Sequence, residues 1–561
     1  MMNKMGLDKC LQARRETADN PVWITPLAED DIVQRAAVAG GALVGATFAI
    51  KDNIDLAGVP TSAACPDYAY VPAADATVVA RLIAAGAVPF GKTNLDQFAT
   101  GLVGVRSPHG VPVNPHGAEW IPGGSSSGSA VAVSTGQCDF SLGTDTAGSG
   151  RVPAAFNELV GLKPTCGLVS TKGVVPACRT LDCVSIFTQS IASAAAILKV
   201  AAGFDPEDPY SRQACPPVED VTKALRVGVP RAAQREFFGD AGAEALFDSA
   251  LQRWQELGAK VIEIDYAPFT ETAQLLYEGP WVAERFAAIK DFITTQPKSL
   301  HPVTRQIIGG AEGLTAVAAF EANYRLADLR RRADRVWQDI DLMVTPTAGT
   351  CYTVEQVEAD PVQLNTNLGY YTNHMNLLDL CAVAVPAGRL PSGVPWGITL
   401  AAPAFCDDRV LRCGALFVGE VPPPTALAYT EPMVKLAVCG AHLSGLPLNS
   451  QLTQLGATLD RVTQTAPSYR LYALAGTTPP KPGMVRGAEG GASIDVEVWE
   501  MTVSSFGKFV AGIPAPLGIG TVQLSDGTSV QGFVCESVAV ADAHEVTAFG
   551  GWRGYIESLE P

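Results

Sequence analysis

The sequence predicts an α/β protein built around one large sheet, followed by a smaller β-rich domain. Three observations lead there. Short apolar runs alternate with longer helical stretches as far as residue 420 or so, the pattern of strands feeding helices. A Pro-rich break, Glu420–Pro424 (EVPPP), interrupts that alternation. From Val434 onward short strand-like runs and tight turns take over. At 561 residues the chain exceeds what a single hydrophobic core usually organises. Its 47% hydrophobic and 17% charged content gives it the apolar surface that a folded α/β protein must bury. The expected boundaries are 1–420 for the large domain, 421–433 for the linker and 434–561 for the second domain.

The elements follow in chain order. Gly41–Ile50 (GALVGATFAI) reads as a buried strand. Thr77–Ala85 reads as a helix with Asp75 as N-cap and Gly86 as C-cap, and Ala87–Phe90 as a short strand. Further short strands are expected at Arg226–Val229, Lys260–Ile264, Leu342–Thr345 and Val383–Val385, with helices over Ala243–Leu257 and Ala316–Ile340. In the second domain the strands are Leu436–Cys439, Tyr469–Leu474, Ser493–Trp499 and Val530–Cys535, with turns at Asp526-Gly527 and Gly550-Gly551.

Composition excludes several functions. A net charge of −17 repels phosphate backbones, so nucleic acid is not the expected ligand. The most apolar stretch, Ala192–Ala202, is too short to span a membrane, and the polar N-terminus lacks a secretory core. Thirteen cysteines without any CxxC pair suit free thiols in a reducing cytoplasm and argue against structural zinc, so no metal or cofactor is expected. With six histidines and no HExxH, the chemistry is expected to run largely without His.

Two familiar patterns fail on context. Gly86–Thr93 matches GxxxxGK[ST], but a helix precedes it and its middle is an apolar run carrying Pro89. Gly124–Gly128 matches GxSxG around Ser126, yet loop-like residues replace the strand that a nucleophile elbow needs.

A different constellation carries chemistry. Pro122–Val133 (PGGSSSGSAVAV) is a Gly/Ser loop entering a small-residue helix, and Gly143–Arg151 (GTDTAGSGR) is a second glycine-rich loop. Backbone amides around Ala147–Ser149 are suited to hold an oxyanion. Lys51 closes an apolar run; if buried, its amine becomes neutral and serves as a base in place of His. These residues resemble the amidase signature family over roughly 20–420, through FAIKDNID (48–55), GKTNLDQFATG (91–101), PGGSSSGSA (122–130) and GTDTAGSGRVPAA (143–155). The resemblance implies a large mixed sheet covered by helices and a Ser–cis-Ser–Lys triad. It assigns Lys51 as base, Ser125 as bridging serine and Ser149 as nucleophile. Thr146, Ala147, Gly148 and Ser149 then supply oxyanion amides. Arg151 and Asp145 are expected to clamp the loop, and Ser126, Ser127 and Ser129 to shape it.

DTAGSGRVPAAFN (145–157) and Leu275–Arg285 (LLYEGPWVAER) resemble the allophanate hydrolase branch of that family. Eight residues on a helix bring Tyr277 and Arg285 to one face, unless Gly279-Pro280 interrupts it. Arg285 then suits a small carboxylate through paired hydrogen bonds. Val438–Asn449 (VCGAHLSGLPLN) resembles the C-terminal domain of the same branch, whose fold is similar to γ-glutamyl cyclotransferases, with His442 as candidate site residue. His442 either assists decarboxylation or ties down its turn, leaving the domain a role in assembly. The resemblance implies hydrolysis of allophanate, a homodimer, no cofactor, and a urea carboxylase on a separate chain. A related small-amide amidase, or the amide-hydrolysing component of a tRNA-dependent amidotransferase, is the alternative.

Overall fold

In a computed structural model, residues 4–214, 225–425, 427, 431–487 and 490–559 are described. The predicted linker 421–433 falls partly on residues 426 and 428–430, which lie outside that set. The chain divides into two compact units, Met1–Tyr429 and Thr430–Pro561.

The first unit is organised by eleven strands: β1 (Trp23–Pro26), β2 (Thr47–Lys51), β3 (Val88–Thr93), β4 (Phe140–Asp145), β5 (Val160–Lys163), β6 (Cys183–Thr188), β7 (Arg226–Pro230), β8 (Lys260–Ile264), β9 (Leu342–Pro346), β10 (Leu380–Arg389) and β11 (Pro395–Pro403). Their order is β1-β3-β2-β4-β6-β5-β10-β11-β9-β7-β8. Pairing is parallel for β3/β2/β4 and for β9/β7/β8, and antiparallel elsewhere, so the sheet is mixed.

Side-chain alternation sorts β10 between two cores, as a strand buried on both faces requires. Cys381, Val383 and Val385 enter the larger core, with the helix Asp407–Val418. Leu380 and Ala382 enter the opposite one, with Phe269, Leu276 and Met375. The helix Ile191–Ala201, the most apolar stretch of the sequence, is packed under β6 rather than in a membrane.

Several expectations shift at their edges. Only Thr47–Lys51 of the predicted strand 41–50 is extended; 41–45 turn, with Gly41 and Gly45 at φ 120° and 77°. The helix Thr77–Ala84 is not capped by Asp75, whose carboxylate accepts the Ala57 amide at 2.7 Å. Gly86 does take a left-handed conformation beyond its end, φ 92°. Gly91, Lys92 and Thr93 lie inside β3, so the phosphate-loop pattern is strand, not loop.

The second unit holds β12 (Met433–Val438), β13 (Thr458–Gln464), β14 (Tyr469–Ala473), β15 (Pro482–Arg486), β16 (Asp495–Thr502), β17 (Leu517–Gln523), β18 (Ser529–Cys535) and β19 (His544–Glu545). They form a five-stranded sheet, β13-β16-β12-β18-β17, and a three-stranded one, β15-β14-β19. Leu436, Val438, Tyr469, Val498, Val522 and Trp552 fill its core.

Candidate active site

β2, the third strand from one edge of the mixed sheet, lies between β3 and β4 and ends on Lys51. Its side chain is fully buried. Lys51 Nζ lies 2.7 Å from Ser125 Oγ and 2.8 Å from Thr144 Oγ1. Asn53 Nδ2 donates to the same Thr144 hydroxyl at 3.3 Å. Burial lowers the Lys51 pKa to about 7, against the pull of Asp96, Asp145 and Asp182. Desolvation penalises the ammonium, so a neutral amine is accessible near neutral pH.

The Gly/Ser loop reaches Lys51 through a cis peptide between Gly124 and Ser125. Asp96 organises this turn: its amide donates to the Ser125 carbonyl at 3.0 Å. Its carboxylate accepts the amides of Gly104 and Arg106, each at 2.9 Å. A Cβ on Gly124 would stand 2.2 Å from that carboxylate, so the approach demands glycine. The neighbouring serines shape the loop. Ser126 Oγ donates to the Thr144 carbonyl at 3.2 Å and Ser129 Oγ to the Leu142 carbonyl at 2.9 Å. Ser127 Oγ is buried without a partner. Ser126 is therefore held against β4, and no strand leads into it as a nucleophile elbow requires.

β4 runs into the second glycine-rich loop at Asp145. Both Asp145 oxygens are engaged by Arg151, through Nε and Nη2 at 2.9 Å each. They also accept the amides of Gly148, at 2.8 Å, and Gly150, at 3.0 Å. This fully buried clamp folds residues 146–149 into a turn that presents Ser149. Gly148 sits at φ 139°, and a Cβ there would meet Thr372 Oγ1 at 2.4 Å. Its amide donates to Asp145 Oδ1. The amides of Thr146, Ala147 and Ser149 donate to no group among the described residues. Ser149 Oγ donates to the Gly101 carbonyl at 3.4 Å.

Arg285 reaches the segment that precedes Gly101. Gly279-Pro280 does interrupt the predicted helix, giving Ala267–Glu278 and Trp281–Ala288. Tyr277 and Arg285 nevertheless converge: Nη2 donates to the Tyr277 hydroxyl at 3.4 Å, and the guanidinium lies 5.4 Å from that ring. Nη1 donates to the Ala99 carbonyl and to Thr100 Oγ1, one residue before Gly101. Arg285 is 2% exposed, yet its Nε has no partner. A buried cation with a spare donor beside Ser149's neighbour is equipped to hold an anion.

Sequence reasoning did not single out Thr144, Asp96, Asp182 or Asn376. Asp182 accepts the Thr146 hydroxyl and the Ala177 amide, while Asn376 Nδ2 donates to the carbonyls of Asp145 and Leu181 at 2.8 Å each. Thr144 and Asp96 lie within the family motifs, but polar residues there have no spacing that marks them as partners.

In the second unit His442 lines a cavity of about 450 Å³ that Lys481 and Lys508 also border. Its ring stacks on Phe533, centroids 5.2 Å apart, and its Nε2 is 2.9 Å from Gln451 Oε1. Burial lowers its pKa, favouring the neutral ring. Within the described residues no group of His, Cys, Asp and Glu is arranged to hold a metal.

The Amidase family model matches residues 13–411, and the model for the allophanate hydrolase C-terminal domain matches 434–557. A urea amidolyase of Lachancea kluyveri is 40% identical over 98% of this chain, and one of Saccharomyces cerevisiae 38% over 99%. The chain spans about a third of the length of these curated relatives, 32% of each. Kluyveromyces lactis allophanate hydrolase superposes with a TM-score of 0.72 at 39% identity, covering 99% of this chain and 96% of that one. The urea amidolyase of Kluyveromyces lactis superposes with the same TM-score of 0.72 and 39% identity, over 99% of this chain and 36% of its own. The chain belongs to the amidase family, a family of amide-hydrolysing enzymes, and carries an allophanate hydrolase C-terminal domain as its second unit.

Proposed function

We propose that this enzyme hydrolyses allophanate to ammonia and N-carboxycarbamate. The observation that carries this reading is a buried, neutralisable Lys51 against Ser125, with Arg285 across the loop that faces Ser149.

Neutral Lys51 accepts the Ser125 proton as Ser125 accepts that of Ser149. Ser149 Oγ attacks the urea carbonyl, and the oxyanion is met by the amides of Thr146, Ala147 and Ser149. Ammonia leaves with the proton returned through the relay. Water then hydrolyses the acyl-enzyme by the same path. Arg285 and Tyr277 hold the substrate carboxylate, which separates allophanate from uncharged amides. In the second unit His442 assists loss of carbon dioxide from the product: the C–N bond breaks and the nitrogen takes a proton by way of the imidazole. This part draws support from a cavity in which a neutral ring stands among lysines.

An enzyme that carboxylates urea supplies the substrate. The second copy of a homodimer covers Val317, Phe320 and Tyr324, an apolar stripe left more than 60% exposed on the helix Ala316–Val336. No disulfide joins the twelve described cysteines, which suits a reducing cytoplasm. None of the helices of the described residues is long and apolar enough to cross a membrane.

The test is ammonia release from allophanate beside malonamide, acetamide and biuret. Allophanate is expected to be turned over with the highest kcat/KM, and Ser149→Ala to abolish turnover while the fold survives. Equal rates on all four amides, or an active Ser149→Ala, would reject the reading.

A further inference from the structure

β5 and β6 are adjacent antiparallel strands, and the chain leaving β5 folds Cys166 back over the first residue of β6, Cys183. The two Sγ atoms stand 3.3 Å apart. Lys163, fully buried, places Nζ 3.4 Å from Cys183 Sγ and 3.9 Å from Cys166 Sγ. Cys166 is half-buried and borders a surface cavity of about 350 Å³, whereas the other described cysteines are buried. None of these three side chains has a part in the hydrolysis described above.

The pair is wired to the oxyanion turn. Cys183 is the register partner of Asp145 across β4 and β6. Its neighbour Asp182 accepts the Thr146 hydroxyl. Asn376 ties the Leu181 and Asp145 carbonyls together. A disulfide needs its sulfurs about 2.05 Å apart, so closing the gap displaces Cys183 or Cys166 by about an ångström. A shift of that size in the β6 start is transmitted to the turn, and catalysis is sensitive to it.

We propose that Cys166 and Cys183 are a peroxide-reactive dithiol whose oxidation to a disulfide shuts down the amidase site. The Cys166 thiolate attacks hydrogen peroxide, the O–O bond breaks, and the departing hydroxide takes a proton to become water. Cys166 is left as a sulfenic acid. Cys183 then attacks that sulfur, the S–S bond forms, the S–O bond breaks and a second water leaves. Two thiols lose two electrons and the peroxide gains them. Hydrogen bonding from Cys183 outweighs burial and, with the Lys163 charge, lowers the Cys166 pKa to about 7, while Cys183 is raised. Cys166 is therefore the attacking thiol.

The chemical step is independent of the substrate reading, and only the shutdown rests on it. The full chain is treated with hydrogen peroxide, digested under non-reducing conditions and analysed by mass spectrometry, with ammonia release followed in parallel. A linked pair of peptides carrying Cys166 and Cys183 is expected, with activity lost in proportion and recovered on adding dithiothreitol. Cys166→Ser and Cys166→Ala are expected to keep basal activity and resist peroxide. Absence of the linkage, full activity of the linked protein, or equal inactivation of both variants and the parent would overturn the proposal. If Ser149 is not the nucleophile, the linkage still forms, so the two readings fail separately.

Discussion

Lys51 sits where water cannot reach its amine, and two consequences follow at the scale of single residues. In the proposed mechanism its neutral form is the base, so kcat/KM is expected to rise as pH climbs through about 7 and to level off above it; a profile flat from 5 to 9 would contradict this role. The same burial strains the fold. An unfolded lysine takes its proton below pH about 10.5, the folded one only below about 7, so the penalty grows as pH falls between those values and is complete beneath them. Lys51→Met is expected to be inactive yet more stable, by about 2–4 kcal/mol at pH 7, read from urea unfolding. For Arg285, replacement by Ala is expected to lower kcat/KM on allophanate by about 10²–10³-fold, as loss of a buried charged partner does, with much less change on malonamide. Parallel kinetics on the two amides measure it.

Among the elements, the β4 end and its turn depend on one buried ion pair. Asp145→Ala leaves Arg151 charged and unpaired, and is expected to cost about 3–5 kcal/mol in stability together with activity. Gly124→Ala meets the Asp96 carboxylate and is expected to remove activity while unfolding less of the protein, by circular dichroism and turnover on the same sample. Legibility varies with the kind of element. Lys260–Ile264 matches its predicted bounds because a short β-branched run set between the turn at Gly258, φ 84°, and Asp265 has one reading. The predicted strand Gly41–Ile50 is too long, since two glycines at positive φ turn the chain before the strand begins. Tyr277 and Arg285 meet across a helix break rather than along one helix, a geometry that residue spacing cannot carry.

At the scale of the molecule, two units with separate cores imply separable activities. A chain ending at Tyr429 is expected to release ammonia at an undiminished rate while carbon dioxide release slows toward the uncatalysed rate, measured in one vessel. The exposed stripe on Ala316–Val336 makes Phe320→Glu the variant expected to halve the molar mass in light scattering without altering the unfolding midpoint.

By itself the sequence determined the α/β class and marked the two glycine-rich loops and the apolar run that Lys51 closes, because strand periodicity and glycine content are local properties. Lys51, Ser125 and Ser149 became catalytic candidates together only through the family resemblance, which the sequence carries in its motifs. Only the tertiary structure decided that Lys51 is dry, that Thr144 and Ser125 share its amine, and that Gly148's amide belongs to Asp145. Burial, a lowered pKa and the pairing of a donor with one acceptor rather than another depend on residues nearly a hundred positions apart meeting across β2 and β4, and no local pattern encodes such a meeting.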